Sequence, residues 1–155
     1  MATNVNPIPE GQHQATPYLC ARDAARAIDF YKKAFGAIET MRMAAPDGKI
    51  GHADLKIGDA VIMLADEYPG HNRSPQELGG TSVMIHLYVA NVDAFCARAV
   101  EAGAKLIRPL EDQFYGDRIC VLGDPFGHVW MIATHKEDVS TAELQKRVGD
   151  SYRVS

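Results

Sequence analysis

Ile62-Met63-Leu64-Ala65 and Trp130-Met131-Ile132-Ala133 stand 68 residues apart, and their likeness decides the fold. The same offset relates Leu19 to Leu87, Ala21 to Val89 and Asp23 to Asn91. Gly36-Ala37 and Gly103-Ala104 repeat at 67, a slip of one residue. An offset shared by a strand, a helix end and a second strand points to a duplicated module. Each copy alone has too few residues for a large core, so the copies are expected to be complementary.

Each copy reads β-α-β-β-β. Thr16 to Ala21 has strand character, and Asp23 is a helix N-cap. Ala24, Ala27, Ile28, Tyr31 and Phe35 follow at helical spacing, and Gly36 suits the residue after the helix. Ile38 to Ala44 reads as a strand, and Pro46-Asp47-Gly48 as a turn. Gly51 to Ile57 alternates: Ala53, Leu55 and Ile57 on one face, His52, Asp54 and Lys56 on the other. Ala60 to Ala65 is the fourth strand. Tyr68 to Gly80 reads as a loop. The second copy has strands at Ser82–Val89, Lys105–Ile107, Asp117–Leu122 and His128–Thr134, and a helix at Val92–Ala102. Ser140-Thr141-Ala142-Glu143 is a capping-box signature for a short helix to about Val148.

The expected organisation is a flexible lead-in over 1–14, a first module over 15–67, a linker over 68–81, a second module over 82–135, and a C-terminal helix and tail over 136–155. The fold class is α+β: two tandem modules forming a curved mixed sheet with a central cleft. One face of each module must cover its alternating apolar residues with the helix. The other face is left for a partner module or a ligand.

Composition narrows the function. With 155 residues, a formal net charge of -4 and no cluster of Lys and Arg, nucleic acid is excluded as the main partner. Hydrophobic content of 46% is that of an ordinary globular chain, and no run is long and apolar enough to span a membrane. Residues 1–14 lack the apolar core of a secretory signal. Cys20, Cys96 and Cys120 form no C-x-x-C pair, so the expected compartment is the reducing cytoplasm. No phosphate-binding loop, nucleophile elbow, H-E-x-x-H or dinucleotide fingerprint occurs.

Phe30-Tyr31 with Phe35-Gly36 resembles the helix end of glyoxalase-like modules. Asp124-Pro125-Phe126-Gly127-His128-Val129-Trp130 resembles their turn and last strand. The chain is thus similar to the vicinal oxygen chelate superfamily, the glyoxalase, bleomycin-resistance and dioxygenase group, from about Ala15 to His135. Gln113 to Arg118 and Ala133-Thr134-His135 resemble its PhnB-like branch. The resemblance implies a homodimer and, in metal-dependent members, one ligand on the first and last strand of each module. Those positions here are Thr16, Met63, Met84 and Met131. None is a usual ligand for a hard or borderline divalent cation. Three Met and a Thr suit an apolar pocket floor; thioethers also suit Cu(I). No metal and no cofactor is expected.

Strand parity then nominates the ligand-binding residues. Tyr18 and Cys20 share a face with Thr16, and His86 and Tyr88 share one with Met84. His52 and Asp54 lie opposite the helix-facing residues. The 68-residue offset maps His52 to Cys120, which places Arg118 on that same open face. Arg118 suits an anionic group, or a salt bridge with Asp117 or Asp112. Gln113 and Tyr115 lie on the loop before it. His52 and His86 are the catalytic candidates, since imidazole is a ready general base; each is equally a hydrogen-bonded histidine in a half-polar groove. His13, His71 and His135 carry no motif. Two functions remain open: a metal-free binder of a small planar or amphipathic molecule, or a lyase or isomerase using His52 or His86 with a relocated metal or none.

Overall fold

A computed structural model describes residues 5–155, so the first residues of the expected lead-in lie outside the described part. The chain forms two compact units, divided between Gly80 and Thr81. In the first unit the elements are β1 (Tyr18–Ala21), α1 (Ala24–Phe35), β2 (Ile38–Ala44), β3 (Ile50–Ile57), β4 (Ala60–Asp66) and the single-turn α2 (Pro75–Leu78). In the second they are β5 (Met84–Tyr88), α3 (Val92–Ala102), β6 (Lys105–Asp112), β7 (Asp117–Gly123), β8 (Val129–His135) and α4 (Thr141–Val148). A single turn of 3-10 helix, Gly149–Ser151, follows α4. Each unit is one four-stranded mixed sheet, ordered β1-β4-β3-β2 and β5-β8-β7-β6. The first and last strands of each unit pair in parallel, and the other pairs are antiparallel. The identical order in both units is the structural form of the repeat.

In the first unit, Ala24, Ala27, Ile28, Tyr31 and Phe35 of α1 are buried against Leu19, Ala53, Leu55, Ile62 and Leu64 of the sheet. In the second, Val92, Cys96 and Ala99 of α3 face Ile85, Leu87, Cys120, Leu122, Trp130 and Ile132. Each large buried side chain contributes roughly 1.5–3 kcal/mol of transfer free energy. Asp23 caps α1 from a left-handed conformation, φ 70°, accepting from the Arg26 N–H. The last strand also holds each helix start. Asp66 accepts from the N–H groups of Ala24 and Ile50, at 2.7 and 2.6 Å. Its repeat partner Thr134 accepts from the Val92 N–H at 2.8 Å. A carboxylate and a hydroxyl thus do the same work 68 residues apart.

Three expectations needed correction. The segment read as a loop contains α2, which Ser74 caps through the Glu77 N–H. The strand expected at Lys105–Ile107 runs on to Asp112. It passes Pro109 because β6 is an edge strand and its register shifts between Arg108 and Glu111, so no ladder donor is needed there. The third concerns Arg118. Ala53 pairs with Leu64, whereas Cys120 pairs with Ile132, so β3 and β7 follow the 67-residue offset that arises because α3 is one residue shorter than α1. A slip of one residue exchanges the two faces of a strand. Cys120 is therefore the counterpart of Ala53, not His52, and Arg118 lies on the helix side.

Candidate functional site

The face of each sheet opposite its helix carries the remaining candidates. In the first unit, Tyr18 on β1 and Asp54 on β3 both pair with Met63 of β4. Met41 and Met43 of β2 pair with Asp54 and His52. Side chains two apart on a strand share a face, so this surface holds Tyr18, Cys20, His52, Asp54, Lys56 and the three methionines. Tyr18 is 53% exposed and Met43 61%. Thr16 lies half-buried just before β1.

A chain of hydrogen bonds crosses this face. His52 Nε2 lies 3.1 Å from Asp54 Oδ1, and His52 Nδ1 lies 2.7 Å from the Tyr18 hydroxyl. A carboxylate only accepts, so Nε2 carries the imidazole proton and donates to Asp54. With the proton on Nε2, Nδ1 accepts from the Tyr18 hydroxyl. The Tyr18 and His52 rings meet edge-on, with centroids 5.3 Å apart. Burial, and then the Asp54 charge, hold the Tyr18 hydroxyl above its ordinary pKa, so it stays protonated.

Beside Tyr18 lies a recess of about 430 Å³, lined by Tyr18, Cys20, Gly51, Ala65, Tyr68, His71 and Asn72. Burial, and then the Glu67 and Asp66 charges, push the Cys20 thiol up to about 11. It is a neutral wall, not a thiolate nucleophile. None of the three cysteines forms a disulfide.

The second unit arranges its open face differently. Met84, His86 and Tyr88 project from β5 with Ile85 and Leu87 buried between them. Met84 is 47% exposed and Tyr88 65%. Met131 is opposite His86 and lies half-buried. The His86 and Tyr88 ring centroids are 4.7 Å apart. Tyr88 donates to Asp117 Oδ2 at 2.7 Å, and His135 Nδ1 lies 2.7 Å from Asp117 Oδ1. His135 Nε2 faces Asp138 Oδ1 at 2.9 Å. With a carboxylate at each ring nitrogen, His135 is held above its ordinary pKa, chiefly by Asp117 and then Asp138. Burial pushes Asp117 up, but the hydrogen bonds from His135 and Tyr88 outweigh it, and the carboxyl sits below its ordinary value.

The sequence reading passed over His135, Tyr68 and His71. His135 was legible in principle: it continues the alternation Met131, Ala133 along β8. Tyr68 and His71 reach the recess only through the fold of the loop after β4. Arg118 is occupied on the other face, donating to both oxygens of Asp93 on α3 at 2.9 and 3.0 Å and to Asp112 at 3.2 Å. Gln113 closes the β6–β7 turn by donating its backbone N–H to the Asp117 carbonyl at 2.7 Å. Tyr115 is half-buried there beside exposed Phe114.

Residues 11–132 match the model of the Glyoxalase/Bleomycin resistance protein/Dioxygenase superfamily. The chain belongs to this superfamily. An uncharacterised protein of Mycobacterium bovis is 46% identical over 149 residues, covering 94% of both chains. Among solved structures, TioX from Micromonospora sp. ML1 aligns with a TM-score of 0.64 and 28% identity, covering 83% of this chain and 100% of TioX. An Arabidopsis thaliana gene product aligns with a TM-score of 0.65 and 26% identity, covering 79% and 98%.

The metal positions implied by the superfamily hold a hydroxyl and three thioethers, at Thr16, Met63, Met84 and Met131. This donor set does not fit a hard divalent cation, which wants imidazole nitrogen and carboxylate oxygen. Among the described residues, no helix is long and apolar enough to cross a membrane.

Proposed function

We propose that this superfamily member, of the PhnB-like branch, binds a small planar or amphipathic molecule on the open faces of its sheets and does so without a metal. One observation carries the reading: Met43, Tyr18, Met84 and Tyr88 stand 47–65% exposed on the sheet faces opposite the helices. Thioethers and aromatic rings offer adaptable apolar area with few polar demands, the chemistry of a binder. Thr16, His52, Asp54, His86, Gln113, Tyr115 and the thioethers of Met63 and Met131 complete the proposed ligand-binding set. Arg118 is left out of that set because its guanidinium is taken up by Asp93 and Asp112. We place the protein in the cytoplasm as a homodimer, which light scattering on eluting protein tests directly.

Titration with anilinonaphthalene sulfonate, followed by fluorescence, tests the binding reading. Met43→Glu and Met84→Glu put a charge on each face, and each is expected to weaken binding roughly tenfold, about 1.4 kcal/mol. Dye uptake unchanged by both substitutions counts against it. Elemental analysis after exposure to Zn²⁺, Ni²⁺, Mn²⁺ and Fe²⁺ tests the metal-free part, and about one tightly held ion per site would sink it.

A second reading, a lyase or isomerase, is favoured by the Tyr18–His52–Asp54 chain, because a histidine oriented by a carboxylate is the arrangement of a general base. Replacing His52 or His86 by Ala separates the two readings once a substrate is found. An enzyme loses turnover with binding largely kept, and a binder loses affinity alone.

A further inference from the structure

The geometry points to Tyr18, His52 and Asp54 as a proton-accepting relay that binds a small phenol or enol in the adjoining recess and takes up its proton. This inference deepens the small-molecule reading and rests on it.

The three groups are ordered by their donors. Asp54 fixes the proton of His52 on Nε2, and this leaves Nδ1 as a base 2.7 Å from the Tyr18 hydroxyl. That hydroxyl spends its own proton on His52 and keeps a lone pair for a guest. His52 and Asp54 are screened, with side chains 21% and 16% exposed, while Tyr18 reaches into the open. Tyr18 is therefore the contact and His52 the store. The recess that Tyr18 lines, about 430 Å³ with Tyr68 and the neutral Cys20, has room for one aromatic or enolic ring.

The proton step balances without any further reagent. A guest O–H donates to Tyr18 Oη. As that bond breaks, Oη gains the guest proton and gives its own to His52 Nδ1. The products are the guest anion, an intact Tyr18 and an imidazolium that faces the Asp54 carboxylate. No tyrosinate is left behind, which matters because the Tyr18 hydroxyl is held above its ordinary pKa by burial and by Asp54. The other titratable groups around the relay are Lys56 on β3, Cys20 on β1, and Tyr68 and His71 in the loop after β4. From β2 and β4 the relay meets Met41, Met43, Met63 and Ala65, none of which titrates. Asp54 acts through His52 and is a positioning residue.

Para-nitrophenol is the probe, because its anion absorbs in the visible and reports its own ionisation while bound. Occupancy is set by equilibrium dialysis, and the absorbance of the bound fraction is followed against pH. The full-length protein is expected to lower the ionisation midpoint of the bound phenol by about one pH unit, a tenfold shift. Tyr18→Phe keeps the ring and removes the relay oxygen; with the probe concentration raised to match occupancy, the bound probe should ionise at the midpoint of the free compound. Asp54→Asn, compared with the native protein at matched occupancy, should also return the midpoint to that of the free compound, a result that a merely structural role for Asp54 would not produce. A bound probe that ionises at its free midpoint, or a shift that survives Tyr18→Phe, overturns the relay while the binding face stands. Failure of the probe to occupy the protein also overturns it. The dye titration above decides the binding reading separately.

Discussion

His135 and Asp117 show how a pair of side chains ties stability to pH. His135 is raised and Asp117 is lowered in the folded state. A raised histidine stabilises fully below its unfolded value, about 6.5, and loses that contribution as pH climbs through the folded value. A lowered carboxyl stabilises above its unfolded value, about 3.9, and loses it as pH falls through the folded one. The pair is therefore most useful between about pH 4 and 6.5. Melting temperatures of the native protein and His135→Gln should differ most in that window and converge towards alkaline pH; a constant gap would contradict the pairing. Asp124 is a second test at this scale. Its carboxylate accepts from the N–H groups of Phe126 and His128 and from Trp130 Nε1, each at 2.9 Å. Trp130 is fully buried. Asp124→Ala strands these donors, and at about 1–3 kcal/mol for a buried unmade bond the expected loss is roughly 2–4 kcal/mol in urea denaturation. The Asp-Pro-Phe-Gly turn was visible in the sequence; that Asp124 ties the turn to the core through the indole was not.

At the scale of elements, strands and helices were legible where local signals were strong and hidden where the tertiary setting decided. The boundaries of α3 and the cap of α4 were readable because Asn91 and Ser140 each accept from an N–H three residues on. The length of β6 was hidden because Pro109 reads as a strand-breaker unless the strand is known to be an edge. Gly116 offers an element-level prediction. Its φ is +101°, and a Cβ there would run into the Glu137 carbonyl. The Gly116 carbonyl accepts from the N–H groups of Lys136 and Glu137, and Arg147 of α4 ties Glu137 to the Phe114 carbonyl. Gly116→Ala should therefore loosen the segment after β8, seen as faster amide exchange from Lys136 through α4 with β5 still protected. Ser140→Ala removes the α4 cap and should fray that helix by about 1 kcal/mol in the same measurement.

At the scale of the whole molecule, the chain crosses between its two units through an exposed stretch, Gly79 to Val83, with positive φ at both Gly79 and Gly80. Few contacts protect such a segment, so limited digestion with thermolysin should cut there first, before Val83. Mass spectrometry of the first fragments checks this, and an earlier cut inside β3 or β7 would be inconsistent with the described cores. The sequence by itself determined the duplication, the β-α-β-β-β order of each module and the residues of the first module that face its helix. Those follow from periodicity and spacing, which are local and survive without coordinates, while the likeness to the superfamily rested on the helix-end and Asp124–Trp130 motifs. Tertiary structure alone decided which polar side chains meet. Tyr18 and His52 are 34 residues apart in the chain and sit on strands separated by β4, so no local pattern joins them. The face of Arg118 was also decided there, because the one residue by which α3 is shorter than α1 reverses the parity of β7, and only the hydrogen-bond register shows that the slip persists that far.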